Sequence, residues 1–170
     1  VPIVLVYVKT RPCLPKLNSS GYLPNPVAGL IMQFDVVIVG SGIAGLFTAL
    51  RCSQRGFSVL VVTKSRIKSS STNWAQGGIA AVLDPSDDEA IEAHVQDTLS
   101  SGKGLCDEAI VRSVVVEAAH RISDLVSFGV GFDGDSQGYH NAIEGGHSTP
   151  RILHSKDRTG AEIEQALEMA

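Results

Sequence analysis

The chain has 170 residues, 44% of them hydrophobic, with 17 glycines and a formal net charge of −4, which fits one α/β domain with a real core and excludes a fibrous or compositionally disordered chain. No apolar run reaches the length of a membrane span, and the acidic balance sets nucleic-acid binding aside, because Lys64, Arg66 and Lys68 make only a local basic patch. Cys13, Cys52 and Cys106 are widely spaced and form no C-x-x-C, so neither a disulfide framework nor a zinc site is expected, and a reducing compartment is.

Residues 1–31 differ from the rest. They hold five of the seven prolines and carry Lys9, Arg11 and Lys16 without a single acid, with neither a helical nor a sustained strand period. The expectation is an unstructured extension, or sequence upstream of a true start at Met32. Its basic, acid-free character weakly resembles a transit peptide, which would direct an otherwise cytoplasmic protein to a plastid.

From Gln33 the pattern sharpens. "FDVVIVG" is a short β-branched run of the kind buried on both faces of a parallel sheet. "GSGIAG" follows, then apolar residues at helical spacing (Ile43, Leu46, Phe47, Leu50) up to a stop at Gly56, and "FSVLVVT" supplies a second strand. This is a β-α-β unit. Residues 65–83 read as a Ser- and Gly-rich loop containing "STNWAQGG". Two amphipathic helices are predicted next, one through Ile91, Val95 and Leu99 with the acidic run Asp84, Asp87, Asp88, Glu89 at its solvated start, the other capped by Asp107 and running to Gly129. Polar turns occupy 131–149, "RILHS" gives a short strand, and "TGAE" opens a last helix with Thr159 and Glu162 spaced for a capping box.

Gly40, Gly42 and Gly45 fit G-x-G-x-x-G in the context that gives the pattern its meaning, strand before and helix after. Gly40 permits the tight turn, Gly42 lets backbone N–H groups approach a pyrophosphate, and Gly45 lets the helix lie close on the strand. The helix N-terminus then faces the anion. Ser41, Ile43 and Ala44 complete the dinucleotide cradle. The alternative is that these glycines serve packing only. The acid that usually binds a ribose at the end of the second strand is replaced by Thr63-Lys64, which weakens an NAD reading and leaves Lys64 near phosphate or ribose oxygens.

"DVVIVGSGIAGL", "STNWAQGGIAAV" and "EGGHSTPRILHSKDRTG", in that order, resemble the L-aspartate oxidases, flavoproteins of bacterial and plastid NAD biosynthesis in the superfamily of the succinate dehydrogenase and fumarate reductase flavoproteins. The resemblance covers residues 33–170. It implies a Rossmann-like FAD-binding domain, here residues 32–170 and incomplete at the C-terminus, in a longer enzyme with capping and helical domains. The chain by itself is then expected to be an inactive fragment. A Thr-Lys pair at the ribose position is ordinary in that superfamily. The resemblance also places Ser71, Thr72, Asn73, Trp74, Ala75, Gln76, Gly77 and Gly78 along the flavin, against the alternative of a Gly-Gly turn anchored by a buried Trp74. Ser71 stands where covalent relatives carry a flavin-linked histidine, so FAD is expected to be non-covalent. The implied reaction oxidises L-aspartate to iminosuccinate with oxygen or fumarate as acceptor, the product passing to quinolinate synthase. A fumarate reductase or succinate dehydrogenase flavoprotein, or a non-catalytic FAD-binding fragment, are the other readings.

Glu144 is the candidate catalytic residue. Succinate and fumarate relatives typically have an apolar residue before this Gly-Gly, whereas a carboxylate here would meet the α-amino group that distinguishes aspartate from succinate. The alternative is an exposed turn residue. His94 and His120 are expected at helix surfaces or boundaries, His140 in a polar turn, and His147 either lining the site or bonding within its loop. No three-ligand metal spacing is present.

Overall fold

The computed structural model describes residues 4–8, 33–64 and 66–170. The chain divides into two compact units, Val1–Ser70 and Ser71–Ala170.

In the first unit, β2 (Val36–Val39) leads into α1 (Ile43–Gln54) and returns as β3 (Val59–Thr63). β2 and β3 pair in parallel from Val36 opposite Val59 to Val39 opposite Val62. Both strands are β-branched, which suits a pleated surface, and α1 seals one face: Ala49, Val59 and Val61 are buried and Val36, Ile38 and Cys52 pack against them. At the lower end Asp35 Oδ2 accepts hydrogen bonds from the Ser58 amide (2.7 Å) and hydroxyl (2.6 Å), and these bonds hold the Asp35 carboxyl below its ordinary value. Gly56, at φ +86°, ends α1 as predicted, its N–H bonding Ser53 O at 2.9 Å.

Two expectations for this unit change. β2 is not covered on both faces: Val37 and Val39 are 57% and 85% exposed, because α1 is packed on the opposite side. Val4–Val8, inside the segment expected to be unstructured, forms β1 and pairs antiparallel with β3, giving the order β1-β3-β2. The "VLVYV" run is β-branched and aromatic, and β3 offers it an unpaired edge. The rest of that extension lies outside the described residues.

In the second unit, α3 (Asp88–Gly102) and α4 (Glu108–Ser127) pack around Val82, Ile91, Val95 and Val115. Both helices start as the sequence predicts. Asp87 accepts a hydrogen bond from the Ala90 amide at 2.9 Å and Asp107 from the Ile110 amide at 3.1 Å. The 65–83 segment contains two elements that its composition conceals, the single turn α2 (Ser71–Trp74) and the strand β4 (Ile79–Ala80). A hairpin of β5 (Gly134–Asp135) and β6 (Gly138–Tyr139) lies within the predicted polar turns. "RILHS" yields β7 (Ile152–Leu153), which pairs antiparallel with β4.

α5 (Thr159–Met169) closes the described chain without the expected capping box. Thr159 already lies inside the helix, and its hydroxyl accepts from the Ser155 amide at 3.0 Å, while Glu162 Oε1 accepts from the Gly131 amide at 3.4 Å. Gly160 explains itself sterically. A Cβ there would run into Thr72 O and stand 2.9 Å from Ala75 O, and its own amide donates to Ala75 O at 3.0 Å, so the α5 start sits directly on the α2 turn.

Candidate functional site

The first unit holds the glycine cradle. Gly40 follows β2 with φ +113°, a conformation that favours glycine. Gly42 is the N-cap of α1 in extended geometry, and a Cβ on Gly45 would collide with Gly40 O. Gly45 is therefore required for the helix to approach the turn. No side chain caps α1 and its first turn contains no acid. Beside it Ser41 is 4% exposed, its hydroxyl bonding Thr63 Oγ1 (3.2 Å) and Ile67 O (3.1 Å). That pair ties the cradle to the end of β3, where the exposed Lys64 comes next in the chain. Ile43 and Ala44 form the first turn of α1. The start of α1 fits a dinucleotide pyrophosphate: no side chain caps it and no acid in its first turn competes for its amides.

The second unit brings together the other two motifs. Ser71–Trp74 form α2, and Ala75, Gln76 and Gly77 are exposed before β4 begins. Trp74 is 75% exposed, so the alternative of a buried anchor does not hold. It lines, with Asn73, Ala75, Gln76, Asp157, Arg158 and Ala161, a pocket of about 510 Å³. The two glycines differ in what they do. A Cβ on Gly78 would meet Leu153 O and Ile152 Cγ2 of β7, whereas one on Gly77 would lie 3.7 Å from both Glu144 carboxylate oxygens, an ordinary contact. Glu144 Oε1 also faces the Gly78 amide at 3.5 Å. Sixty-six residues away in sequence, the Glu144 carboxylate thus stands over Gly77-Gly78.

Beyond Glu144 the chain forms a polar knot. Arg151 is 3% exposed, and its Nη1 bonds Asp97 Oδ2 at 2.6 Å and His147 Nδ1 at 3.0 Å, its Nη2 Thr149 Oγ1 at 2.6 Å. Asp97 Oδ2 also accepts from the Ser148 amide (2.7 Å) and hydroxyl (2.8 Å). The Arg151 hydrogen bond, reinforced by those of Ser148, holds the Asp97 carboxyl far below the usual carboxylate range. His94 is buried at 7% exposure, with its ring 5.7 Å from that of His147. This corrects the expectation of a surface or boundary residue: α3 turns His94 toward the knot together with Asp97, three residues on. Burial, then the Arg151 and His147 charges, lower its pKa, while Asp97 opposes them. His147 bonds within its loop, one of its two expected roles. His120 is exposed, and His140 pairs with Asp135 in the hairpin at 3.0 Å. His154 bonds Asp133 at 3.0 Å, and Asp133 accepts the Lys156 amide at 2.6 Å, bracing the turn before α5. Asp97 and Asp133 lie outside the three motifs, and Arg151, inside the third, carries no role that the sequence predicts. The bonds that join Asp97 to Arg151, and Asp133 to His154 and Lys156, span 21 to 54 residues.

A glycine cradle on a β-α-β unit, without a capping acid, defines a dinucleotide-binding protein, and residues 35–169 match the FAD binding domain family. The chain belongs to that family. It is 51% identical over 135 residues to the chloroplastic L-aspartate oxidase of Oryza sativa subsp. japonica, covering 79% of this chain and 20% of that protein. With the L-aspartate oxidase of Streptomyces coelicolor it shares 46% identity over 154 residues, 89% of this chain and 26% of the relative. The chain therefore spans about a fifth to a quarter of the length of these relatives. Among solved structures, the Mycobacterium smegmatis Sdh1 complex matches with a TM-score of 0.73 at 36% identity, over 79% of this chain and 23% of that one. A variant of the E. coli quinol fumarate reductase matches with a TM-score of 0.73 at 29% identity, over 80% and 23%. The fold is that of the succinate dehydrogenase and fumarate reductase flavoproteins. No helix among the described residues is long and apolar enough to cross a membrane.

Proposed function

We propose that the chain is the N-terminal part of a Rossmann-like FAD-binding domain in an enzyme that oxidises L-aspartate to iminosuccinate. The observation that carries this reading is the Glu144 carboxylate over Gly77-Gly78, supported by the identity to proteins named L-aspartate oxidase. Bound FAD supplies the acceptor for the hydride that leaves the substrate α-carbon. The chain's own residues bind and orient. Gly40, Ser41, Gly42, Ile43, Ala44 and Gly45 receive the pyrophosphate at the start of α1, with Lys64 near phosphate or ribose oxygens. Ser71 to Gly78 lie along the flavin, with Ser71 unable to form the histidyl link, so the cofactor is non-covalent. Glu144 accepts a charge-assisted hydrogen bond from the substrate amine, fixing the C–H to be broken. The substrate loses a hydride from carbon and a proton from nitrogen. The electrons end on oxygen, giving hydrogen peroxide, or on fumarate, giving succinate. Iminosuccinate would pass to quinolinate synthase. The chloroplastic relatives support a plastid location with the N-terminal extension as a transit peptide; without that role for the extension, the proposed location is cytoplasmic.

The test is Glu144→Gln in the whole enzyme. Aspartate oxidation should fall at least about tenfold, the weight of one charge-assisted hydrogen bond. Fumarate reduction by the pre-reduced enzyme should change much less, because fumarate has no amine. Equal losses in the two half-reactions would assign Glu144 a structural role, and no loss in either would remove it from the site. A protein active with succinate and inert toward aspartate would favour the fumarate reductase or succinate dehydrogenase reading.

A further inference from the structure

We infer that Asp97 is a positioning residue, fixing from the middle of α3 the loop that carries Glu144 over Gly77-Gly78. The inference rests on the reading of Glu144 as the group that meets the substrate amine. Ala142 bridges to Ile152, with the Ala142 amide on Ile152 O at 2.9 Å and the Arg151 amide on Ala142 O at 3.1 Å, so residues 143–151 form a closed excursion from β7. Its tip is the turn from Glu144 to His147, where the His147 amide bonds Glu144 O at 3.2 Å and Gly146 has φ +88°.

A nine-residue excursion pinned only at its base would leave the tip free to swing. Asp97 removes that freedom. One carboxylate oxygen, Oδ2, receives the Ser148 amide, the Ser148 hydroxyl and the Arg151 guanidinium, all within 2.8 Å. Arg151 in turn holds Thr149 and His147, so every residue with a polar side chain in the descending arm is tied, directly or through Arg151, to one atom of α3. The tip also comes close to that helix: a Cβ on Gly146 would come within 2.9 Å of Ser101 Oγ. The influence of Asp97 on the site runs through the shape of the loop, since its own bonds go to Ser148 and Arg151.

Asp97→Asn in the whole enzyme keeps the side-chain size and one acceptor oxygen but removes the charge opposite Arg151. Expected is a fall of about tenfold in kcat/KM for L-aspartate, unchanged flavin content, and a change below about twofold in fumarate reduction. In the Glu144→Gln background the same change should add less than about twofold, since the loop no longer carries the carboxylate it positions. Hydrogen exchange of residues 143–149 should quicken while that of β2 and β3 stays as in the wild type. Additive losses in the double variant would overturn the inference and leave the Glu144 reading standing. Loss of flavin, or equal losses in both half-reactions, would also overturn it, by assigning Asp97 a general structural role. Should Glu144→Gln alone be without effect, the reading of Glu144 falls and with it the positioning role, and exchange at 143–149 would then report only whether Asp97 anchors the loop.

Discussion

Three helices of this chain begin in two different ways. α3 and α4 open on aspartates, Asp87 and Asp107, whose carboxylates accept amides of the first turn, and both have further acids within that turn. α1 opens on Gly42, with no side-chain cap and no acid. The first arrangement completes a helix with its own side chain and is worth roughly 0.5–2 kcal/mol per cap. The second leaves the positive end of the helix to an anion from elsewhere. On the proposed reading, the same backbone feature serves stability at α3 and α4 and ligand binding at α1.

Exchanging the two kinds of start should have the largest effect on the protein. Gly42→Asp gives α1 the cap that α3 and α4 have, in an extended N-cap conformation that aspartate adopts readily. In the whole enzyme FAD retention through gel filtration should be abolished, while the thermal midpoint of the flavin-free protein stays the same or rises. A Gly42→Asp protein that kept its flavin would show that the bare helix start does not receive the pyrophosphate.

A smaller, steric effect separates the two glycines under Glu144. Gly78→Ala drives a methyl group into Leu153 O and Ile152 of β7, which should cost roughly 1–3 kcal/mol by overpacking. Gly77→Ala meets only the Glu144 carboxylate at 3.7 Å and should stay within about 0.5 kcal/mol of wild type. Denaturant unfolding of the two variants gives the comparison directly, and equal stabilities would contradict the assigned packing role of Gly78.

At the Asp-capped starts, Asp107→Ala should lower stability by about 1 kcal/mol without loss of flavin. The smallest effect concerns His94. Its folded pKa is lowered below the ordinary 6.5, chiefly by burial, so on acidification the unfolded chain takes up this proton first. The corresponding stability is complete above about pH 6.5 and declines below it, with a slope of less than one proton. Thermal midpoints of the wild type and His94→Asn between about pH 5 and pH 7.5 should diverge in that direction, the wild type showing the steeper acid loss. Identical slopes would mean that His94 is not held neutral by its surroundings.

The glycine cradle was legible because each of its requirements is local: a strand, three glycines at fixed offsets and an amphipathic helix adjoin one another in the chain, and the backbone alone dictates them. Asp107 was legible for the same reason, since an N-cap acts three residues away, whereas Asp87 was legible only as part of the acidic run that opens α3, with nothing to single it out as the cap. The pairing of "VLVYV" with β3 was not, because Val4 meets Thr63 across the intervening chain and a proline-rich neighbourhood masks a five-residue strand. Trp74 and His94 depart from expectation in opposite directions. One is an aromatic left open to line a pocket, the other an imidazole that α3 buries beside the His147 ring. The capping box failed because Thr159 and Glu162, though correctly spaced, find Ser155 and Gly131 instead. Glu144 was singled out by residue type, but its position over Gly77-Gly78, and the tie from Asp97 that shapes its loop, join segments that only the tertiary fold brings together.

On the proposed reading, the whole enzyme takes electrons from L-aspartate through a flavin it holds without a covalent bond. Anaerobic mixing of the purified whole enzyme with L-aspartate tests it most directly, followed by the visible flavin absorbance and then by addition of fumarate. Expected are bleaching by one equivalent of aspartate per flavin, recovery of the absorbance on addition of fumarate with one succinate formed per flavin, and release of the flavin on acid precipitation. A flavin that remains oxidised in excess aspartate and is bleached by succinate instead would contradict it.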